Sequence, residues 1–450
     1  MTIATLILAA GQGTRMHSSL PKVLHLLLGR PLIAYALDAV EGLSAEPPVL
    51  VVGHGAEQVE AAVGSRAQFV TQQPQLGTAD AVRSAESLLK GRADLVVVMN
   101  GDLPLLRHAS LERLVRAQQE DPGALSLLTV NRDESQGFGR ILRDAQGRIV
   151  AIQEEAQLQP GQEQVHEFNV GAYCFAADWL WPALARVPLS PKGEYYVTDL
   201  IALAAQDGQE VRGVPVEDPE EAEGINTRVH LARIEALLRR RVNERWMEAG
   251  VTMIDPATTY IEAGVTLGED TILWPNTHLR GETRIGQGCE IGPGTLIRDS
   301  RIGDRCRVLA SVLEGAELED DVDMGPFGHL RSGAHLARGV HMGNFGEVKN
   351  SYLGPGTKMG HFSYIGDATI GENVNIGAGT ITCNFDGEKK NPTEIGANAF
   401  IGSDTMLVAP VKVGEGAHTG AGAVVTHDVP PHTTVVGVPA RPLPPKKDEG

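Results

Sequence analysis

The 450-residue chain has few cysteines, few aromatic residues and no long apolar run. Its four cysteines, Cys174, Cys289, Cys306 and Cys383, are widely spaced, which excludes a paired zinc motif and a disulfide framework and is typical of a reducing cytoplasm. No apolar run reaches the roughly 18 residues that a membrane helix needs. No basic segment precedes the first apolar run, so we expect neither a spanning helix nor a signal peptide.

Positive charge is also scarce. Lysine and arginine number 39 against 57 acidic residues, and the formal net charge is -18. This balance argues against nucleic acid or an anionic membrane as a partner. If the ligands are phosphates, a few local cations and backbone N–H groups must hold them.

The N-terminal half alternates apolar strands with helices. Short strand-like runs occur at 5–10, 49–53, 68–72, 95–102 and 125–130, and helix-like stretches at 32–43 and 77–89. This alternation predicts an α/β domain with a parallel sheet covered on both faces. Ligands of such sheets bind beyond the carboxyl ends of the strands. The Gly11–Arg15 turn and Asp102 both fall at such ends.

The C-terminal half repeats an aliphatic residue every six positions, usually followed by glycine. The aliphatic series are Ile285, Ile291 and Ile297; Ile302 and Val308; Ile370 and Ile376; and Ile395, Ile401, Leu407 and Val413. This is the hexapeptide signature of a parallel β-helix, and resemblance to hexapeptide-repeat proteins implies a left hand and three strands per coil. From about 251 to 437 the repeat allows about ten coils, each adding ~4.8 Å. A charged insertion at 383–394 interrupts it.

A helical segment joins the halves. Residues 225–249 place Leu231, Ile234, Leu238, Val242 and Trp246 at helical spacing. Its cluster Arg239–Arg241 is read as a solvated helix face in preference to an anion site. The predicted boundaries are 1–224 for the α/β domain, 225–249 for a helical linker, 250–437 for the β-helix and 438–450 for a tail.

The loop in "TLILAAGQGTRM" (5–16) fits neither common phosphate motif. It lacks the Gly-Lys-Ser/Thr of a Walker loop, and Met16 stands where a dinucleotide fingerprint needs glycine. Together with "LPKVLH" (20–25), "QLGTADA" (75–81), "NGDLP" (100–104), "GFGRI" (137–141), "FNVG" (168–171) and "GEYYVTDLI" (193–201), it resembles the sugar-1-phosphate nucleotidyltransferases, a Rossmann-like family.

The appended β-helix and "GHFSYIGDATIGENVNIGAGTITCNFDG" (360–387) extend the resemblance over about 2 to 437. The whole chain is similar to the family that joins an N-acetylglucosamine-1-phosphate uridyltransferase to a glucosamine-1-phosphate acetyltransferase. The resemblance implies a cytoplasmic homotrimer that uses acetyl-CoA, UTP and Mg²⁺. Its product would be UDP-N-acetylglucosamine, a precursor of peptidoglycan and lipopolysaccharide.

The resemblance assigns residues to the uridyl transfer. Arg15 and Lys22 would neutralise the nucleotide phosphates and developing charge, and Asp102 and Asn226 would hold Mg²⁺. The remaining nucleotide and sugar contacts would be Leu8, Ala9, Gly11, Gln72, Gly77, Thr78, Asn100, Gly101, Gly139, Glu154 and Asn169. Gln12 departs from a lysine that is frequent in the family. Taken alone, Asp102 also fits an acidic turn residue and Lys22 a surface cation.

The resemblance also assigns residues to the acetyl transfer. His361 would be the base that deprotonates the sugar amine, since histidine titrates near neutral pH. Arg331, Lys349, Tyr364 and Asn375 would bind glucosamine 1-phosphate. Acetyl-CoA would contact Ala378, Asn384, Phe385, Ser403 and Ala421. Phe385 stands where tyrosine is usual.

Three alternatives remain open. The β-helix could be a structural trimerisation module without acetyl transfer, beside a uridylyl- or thymidylyltransferase. His329, His335 and His341, six apart, could stack on one face, as surface or interface side chains in preference to a zinc site. Val438 stands where the family often has a phosphate-binding arginine, and Arg441, helped by Lys446 and Lys447, either replaces it or belongs to a frayed tail.

Overall fold

The computed structural model describes residues 1–133, 137–155 and 158–443. They form two compact units, Met1–Leu238 and Arg239–Gly450. In the first unit the strands are β1 Ile3–Leu8, β2 Leu26–Leu27, β3 Arg30–Pro31, β4 Val49–Val52, β5 Gln68–Thr71, β6 Leu95–Asn100, β7 Leu125–Asn131, β8 Arg140–Arg143, β9 Ile149–Gln153, β10 Glu167–Ala176 and β11 Val211–Pro215. The helices are α1 Leu32–Val40, α2 Ala56–Val63, α3 Thr78–Ser84, α4 Glu86–Leu89, α5 His108–Glu120, α6 Ala177–Leu184, α7 Asp199–Gln206 and α8 Arg228–Glu248.

The main sheet of the first unit runs in the order β11-β7-β10-β6-β1-β4-β5. The strands predicted from sequence are all present, and β1, β4, β5 and β6 are parallel. The sheet is nevertheless mixed, because β10, which was not among the strands predicted from sequence, pairs antiparallel with both β6 and β7. The β8–β9 hairpin precedes β10, and an antiparallel strand needs no crossover helix. The core includes fully buried Tyr173, Phe168 and Phe175 of β10.

The second unit is a prism of three sheets. The first sheet contains Thr252–Met253, Ile272–Leu273, Glu290–Ile291, Arg307–Val308, Asp323–Met324, His341–Met342, Lys358–Met359, Asn375–Ile376, Phe400–Ile401, His418–Thr419, Thr434–Val436 and Arg441–Pro442. The second contains Tyr260–Ile261, His278–Arg280, Leu296–Arg298, Val312–Glu314, His329–Leu330, Gly346–Lys349, Ser363–Gly366, Ile381–Cys383, Met406–Val408 and Val424–Val425. The third contains Thr266–Leu267, Arg284–Ile285, Arg301–Ile302, Glu317–Leu318, Ala334–Leu336, Ser351–Leu353, Ala368–Ile370, Thr393–Ile395 and Val411–Val413.

The repeat explains the prism. Every aliphatic residue of the six-residue series is buried within one continuous core, as the hexapeptide prediction requires. Successive coils pair in parallel, so that Leu267 pairs with Ile285, 18 positions later. Ile370 pairs with Ile395, 25 positions later, so this coil accommodates the charged insertion as a loop. The Rossmann-like domain followed by a left-handed β-helix is therefore confirmed.

Helix α8 spans the boundary between the two units. It covers most of the predicted linker, and the units divide within it, after Leu238. Arg239, which we interpreted as part of a solvated face, lies over the ring of Tyr260 at 4.5 Å. Nδ2 of Asn243 donates to the carbonyls of Pro256 and Thr259, at 2.8 and 3.0 Å. The C-terminal part of the helix is thus fastened to the first coil. Among the described residues, no helix is long and apolar enough to cross a membrane.

Candidate active sites

A cleft of about 950 Å³ opens at the carboxyl ends of the central strands of the first unit. Its walls include eight of the residues that the sequence assigned to uridyl transfer: Arg15, Thr78, Asn100, Asp102, Gly139, Glu154, Asn169 and Asn226. They come from separate parts of the chain that only the sheet brings together. This is the position at which open α/β sheets bind ligands.

Opposite charges meet beside this cleft, where Lys22, which is not one of its described lining residues, contacts Asp102 and Asn226, which are. Nζ of Lys22 donates to Oδ2 of Asp102 at 2.5 Å and to Oδ1 of Asn226 at 3.4 Å. A guanidinium nitrogen of Arg15 donates to the same Asn226 oxygen at 3.0 Å. The carboxylate and amide oxygens therefore face one cation, the Lys22 ammonium. One carboxylate and one amide oxygen are a suitable donor set for Mg²⁺, which completes its shell with water and phosphate.

A second group of polar residues lines the far side of the cleft. Nδ2 of Asn169 donates to the hydroxyl of Tyr173 at 2.7 Å, and Oδ1 of Asn169 accepts from the backbone N–H of Gly171 at 3.1 Å. Glu154 accepts a long hydrogen bond of 3.5 Å from Thr198. Burial raises the pKa of Glu154 above the usual carboxyl range, and the Thr198 hydroxyl opposes that shift. These side chains could accept and donate hydrogen bonds to sugar hydroxyls.

The other predicted nucleotide contacts lie near the cleft but are not among its described lining residues. Leu8 ends β1, Ala9 and Gly11 follow it, Gly101 follows β6, and Gln72 follows β5. The amide nitrogen of Gln72 donates to the carbonyl of Gly77 at 2.9 Å and to Asp80 at 2.8 Å. A β-carbon at Gly77 would lie 2.5 Å from the carbonyl oxygen of Tyr195, so only glycine fits there.

On the prism, four predicted residues occupy one corner in successive coils. His361, Ala378, Ser403 and Ala421 each stand two positions after a paired residue of the first sheet, respectively Met359, Ile376, Ile401 and Thr419. Backbone hydrogen bonds join the coils along this corner, from Asp404 to Ala378 and from Gly422 to Ser403. The predicted base and three of the predicted acetyl-CoA contacts therefore form a ladder between the first and second sheets. Asn375 lies in the first-sheet strand that leads into this corner.

A cationic cluster lies at the opposite edge of the second sheet. Arg331 and Lys349 end neighbouring rungs, since Leu330 pairs with Val348. Lys390 of the inserted loop approaches Lys349, and the hydrogen-bond contact and charge of Lys390, followed by the charge of Arg331, lower the pKa of Lys349. Arg331 also donates to Glu347 at 3.0 Å. Three cations at one place make a suitable site for a phosphate. Lys390 was missed by the sequence analysis, because its neighbours come from other coils.

Tyr364 and Asn384 lie beside this cluster, over Gly366. A β-carbon at Gly366 would lie 2.5 Å from the Tyr364 hydroxyl and 2.7 Å from Nδ2 of Asn384. Asn384 is buried and begins the inserted loop, whose neck is closed by the pairing of Phe385 with Lys390. The Phe385 ring is 60% exposed.

Comparisons with known proteins match both units. The MobA-like NTP transferase domain family matches residues 5–208, and the bacterial transferase hexapeptide family matches 264–299 and 392–427. The bifunctional protein GlmU of Heliobacterium modesticaldum is 47% identical over 425 residues, covering 94% of this chain and 93% of the relative. The bifunctional protein GlmU of Pelobacter propionicus is 46% identical and covers 95% of this chain and 94% of the relative. The bifunctional protein GlmU of Syntrophomonas wolfei is 44% identical and covers 97% of each chain.

The chain belongs to the bifunctional GlmU family. It is an enzyme with a nucleotidyltransferase domain and a hexapeptide acetyltransferase domain. A solved CMP:2-keto-3-deoxy-manno-octonic acid synthetase complexed with CTP has a TM-score of 0.42 and 18% identity, over 54% of this chain and 100% of that chain. This likeness is too low to bear on function.

The three histidines six positions apart, His329, His335 and His341, lie on different faces of the prism in this GlmU-family chain. The expectation that they stack on one face is wrong, because six residues advance the chain by one face and not by one coil. His329 lies in the second sheet, His335 in the third and His341 in the first. Each approaches a carboxylate of the preceding coil: Glu314 at 3.4 Å, Glu319 at 3.0 Å and Asp323 at 2.8 Å. Among the described residues, no cluster of three or more His, Cys, Asp or Glu side chains could hold a metal ion.

The tail of this GlmU-family chain is folded at least to its strand Arg441–Pro442. This strand pairs antiparallel with Thr434–Val436, with Arg441 opposite Val436. Val435 pairs with Thr419, so Gly437, two positions later, continues the corner ladder. Arg441 pairs with Val436, the residue before Gly437, and therefore lies beside the end of that ladder. Its side chain is exposed and donates to the carbonyl of Ala440. Lys446 and Lys447 lie outside the described residues.

Proposed function

We propose that the prism acetylates glucosamine 1-phosphate and that the cleft of the first unit then joins the product to UTP. In the first step the sugar amine attacks the thioester carbonyl of acetyl-CoA. An N–C bond forms, the C–S bond breaks, and the coenzyme leaves as its thiol. In the second step a phosphate oxygen of N-acetylglucosamine 1-phosphate attacks the α-phosphorus of UTP, and pyrophosphate leaves.

For the acetyl transfer, His361 takes the proton that the amine loses. Arg331, Lys349 and Lys390 hold the sugar phosphate, and Tyr364 and Asn375 complete the sugar site. Ala378, Ser403 and Ala421 line the coenzyme groove with small side chains, Asn384 and Phe385 flank the thioester, and Arg441 meets the coenzyme phosphates. His361 has no hydrogen-bond partner among the described residues, so its ring is free to accept the proton.

This assignment requires more than one chain. His361 lies at one corner of the second sheet, and the cationic cluster lies at the other. Gly366 lies five positions after His361, which is about 16 Å of extended backbone. A sugar phosphate is too small to span that distance, so a neighbouring prism supplies the missing part of each site. We therefore propose a homotrimer with three acetyl sites between prisms.

For the uridyl transfer, Arg15 and Lys22 neutralise the phosphates, and Asp102 and Asn226 hold Mg²⁺. The metal supplies charge neutralisation on the phosphates when bound. Leu8, Ala9, Gly11, Gln72, Gly77, Thr78, Asn100 and Gly101 place the nucleotide, and Gly139, Glu154 and Asn169 place the sugar. Alignment and charge are the main requirements of phosphoryl transfer, because two anions must meet.

We also propose that the enzyme works in the cytoplasm. All four cysteines are free, three of them buried, and none forms a disulfide. A reducing compartment keeps thiols in this state. The nucleotide and coenzyme substrates are likewise made inside cells.

The observation that carries the proposal is the convergence of Arg15, Lys22, Asp102 and Asn226 at the cleft. The test that separates a bifunctional enzyme from a nucleotidyltransferase with a structural prism is direct. Purified chain is given glucosamine 1-phosphate and acetyl-CoA, and loss of the free amine and release of thiol are followed. Equal release of thiol and loss of amine support the proposal. Retained amine in an enzyme that still makes UDP-N-acetylglucosamine from N-acetylglucosamine 1-phosphate would favour the structural prism.

A further inference from the structure

Asp367, which no motif in the sequence singled out, holds the side chain of Asn384. It stands at the corner after the strand Ser363–Gly366 and has left-handed backbone with φ 50°. Its Oδ2 accepts from Nδ2 of Asn384 at 2.5 Å, and its Oδ1 accepts from Nδ2 of Asn350 at 2.6 Å. One carboxylate thus joins two amides from the coils before and after it.

This contact decides which way the Asn384 amide faces. A carboxylate only accepts hydrogen bonds, so the atom of Asn384 next to Asp367 must be the amide nitrogen and not the oxygen. Oδ1 of Asn384 therefore points away from Asp367. Within residues 1–133, 137–155 and 158–443, Oδ1 of Asn384 accepts no hydrogen bond. This oxygen is also not fully buried, so a bound molecule could reach it.

The backbone around Asn384 is fixed as well. The carbonyl of Asn384 accepts from the N–H of Asn391 at 2.7 Å, and the N–H of Thr393 donates to the carbonyl of Asp367 at 3.1 Å. Both ends of the inserted loop are thereby attached to this corner. A rigid backbone and an amide held on one side leave the side-chain oxygen of Asn384 as a preorganised acceptor.

We propose that Asp367 is a positioning residue for acetyl transfer, which orients Asn384 so that its amide oxygen accepts an N–H group of a bound reactant. This inference rests on the proposed acetyltransferase function. Two reactants carry such a donor: the sugar amine and the amides of the coenzyme's pantetheine arm. An acceptor turned the wrong way would present N–H to N–H, which loses a hydrogen bond and adds a repulsive contact.

The test uses the conflict that Asp367→Asn creates. An asparagine has one acceptor oxygen, so it cannot accept from both Asn350 and Asn384 in the present arrangement. We expect Asp367→Asn to lower kcat/KM for acetyl transfer by about tenfold to a hundredfold, as a lost hydrogen bond to a charged group does. Asn350→Ala is the matched control. It removes the other hydrogen bond of the same carboxylate, and we expect acetyl transfer within about twofold of the parent.

A reciprocal swap separates positioning from mere stability and charge. In Asp367→Asn with Asn350→Asp, the new carboxylate accepts from the new amide, whose oxygen then faces Asn384. The net charge is unchanged, and both positions have left-handed backbone, which Asn and Asp tolerate. We expect the swap to recover kcat/KM to within about threefold of the parent. A swap variant as slow as Asp367→Asn, or an Asn350→Ala variant equally slow, would overturn the inference.

The kinetic constants identify the donor. A KM rise confined to glucosamine 1-phosphate assigns it to the sugar amine, and a rise confined to acetyl-CoA assigns it to the pantetheine arm. An unchanged kcat/KM for both substrates in Asp367→Asn would refute the positioning role. Thermal unfolding, measured on the same samples, reports whether the prism of each variant is folded. His361→Ala tests the proposed function separately: if it retained acetyl transfer, that function's assignment of the base would fail whatever Asp367 does.

Discussion

The ammonium of Lys22 lies 2.5 Å from Oδ2 of Asp102, and both side chains are largely buried. A residue assigned to phosphates and a residue assigned to the metal are therefore paired with each other. A metal ion and the ammonium would share the same oxygens. We therefore expect nucleotide binding to redistribute this pair, with Lys22 turning to phosphate as Asp102 turns to the metal.

Asp102→Asn is expected to abolish uridyl transfer, with a loss of at least about a hundredfold, because a neutral amide holds Mg²⁺ poorly. Acetyl transfer should be retained. Both rates are measured on one preparation at several Mg²⁺ concentrations. Asp207→Asn is the matched control, because Asp207 forms an ion pair with Arg186 at 2.7 Å and neither residue lines the cleft. This variant should alter neither rate. Parallel loss of both activities in folded Asp102→Asn would contradict separate sites.

His361→Ala is expected to remove acetyl transfer by about a hundredfold or more, because the attacking amine then lacks its base. Uridyl transfer should stay near the parental rate. His335→Ala is the matched control, since His335 is also a prism histidine but pairs with Glu319 on another sheet. Full acetyl transfer in His361→Ala would remove this residue as the base.

The raised pKa of Glu154 predicts an acidic limb in uridyl transfer. As pH falls through the raised pKa, the carboxylate gains a proton and accepts hydrogen bonds from sugar hydroxyls less strongly, so KM for N-acetylglucosamine 1-phosphate should rise. Glu154→Gln cannot titrate, so its KM should be higher at neutral pH and flat over that range. The comparison is a KM profile from mildly acidic to neutral pH. Identical profiles for parent and variant would exclude Glu154 from sugar binding.

The same shift affects stability with a definite sign. Because burial favours protonated Glu154, the folded chain retains this proton at a pH where the unfolded chain has lost it. Ionisation of Glu154 therefore lowers the free energy of unfolding as pH rises through this window. Thermal unfolding should show Glu154→Gln gaining stability relative to the parent from acidic to neutral pH. A difference that does not vary with pH would contradict the raised pKa.

Gly366→Ala is expected to lower acetyl transfer by about tenfold or more, because the new β-carbon would displace the Tyr364 hydroxyl or the Asn384 amide. The uridyl transfer rate should not change. Steady-state kinetics of both reactions provide the comparison, and thermal unfolding reports whether the prism remains intact. Parental acetyl transfer in this variant would mean that neither side chain needs its observed place.

Arg441→Ala is expected to raise KM for acetyl-CoA by about five- to thirtyfold, as one charge-assisted contact of roughly 1 to 2 kcal/mol would. The effect should shrink at high salt, since the side chain is exposed. Arg338→Ala removes another exposed prism arginine, paired with Asp320 at 3.2 Å, and should leave KM unchanged. An unaltered KM for acetyl-CoA at low salt in Arg441→Ala would return the tail to a structural role.

The prism could be predicted from sequence because its pattern is local. Each aliphatic residue points inward whatever the neighbouring coil contains, so the six-residue period is enough to place Ile285 or Ile401 in the core. The same period misled the interpretation of His329, His335 and His341, because neighbours across a face are a whole coil apart. Lys390 escaped notice because the insertion lengthens one coil to 25 residues, so no fixed interval connects it to Lys349. Asp367 lies one ordinary coil, 17 positions, before Asn384, but nothing in its own sequence pattern singled it out.

In the first unit, Asp102 and the Gly11–Arg15 turn could be found because they end apolar strands. Tyr173 could not, since it reads as an ordinary core residue of β10, and only the folded sheet places its hydroxyl against Asn169. β10 itself was not among the predicted strands, and its direction could not have been read from its sequence. An apolar strand reads alike in parallel and antiparallel pairing.

The measurement that tests the central claim most directly is complementation between two inactive variants. Asp102→Asn and His361→Ala are each given glucosamine 1-phosphate, acetyl-CoA and UTP, and UDP-N-acetylglucosamine is quantified. Neither alone should form it at more than about a hundredth of the parental rate, whereas their mixture should, because one supplies the acetylated sugar phosphate and the other couples it to UTP. Absence of product from the mixture, with each variant retaining its single activity, would show that the intermediate does not pass freely between the sites. Product from His361→Ala alone would contradict the assignment of His361 as the base of acetyl transfer.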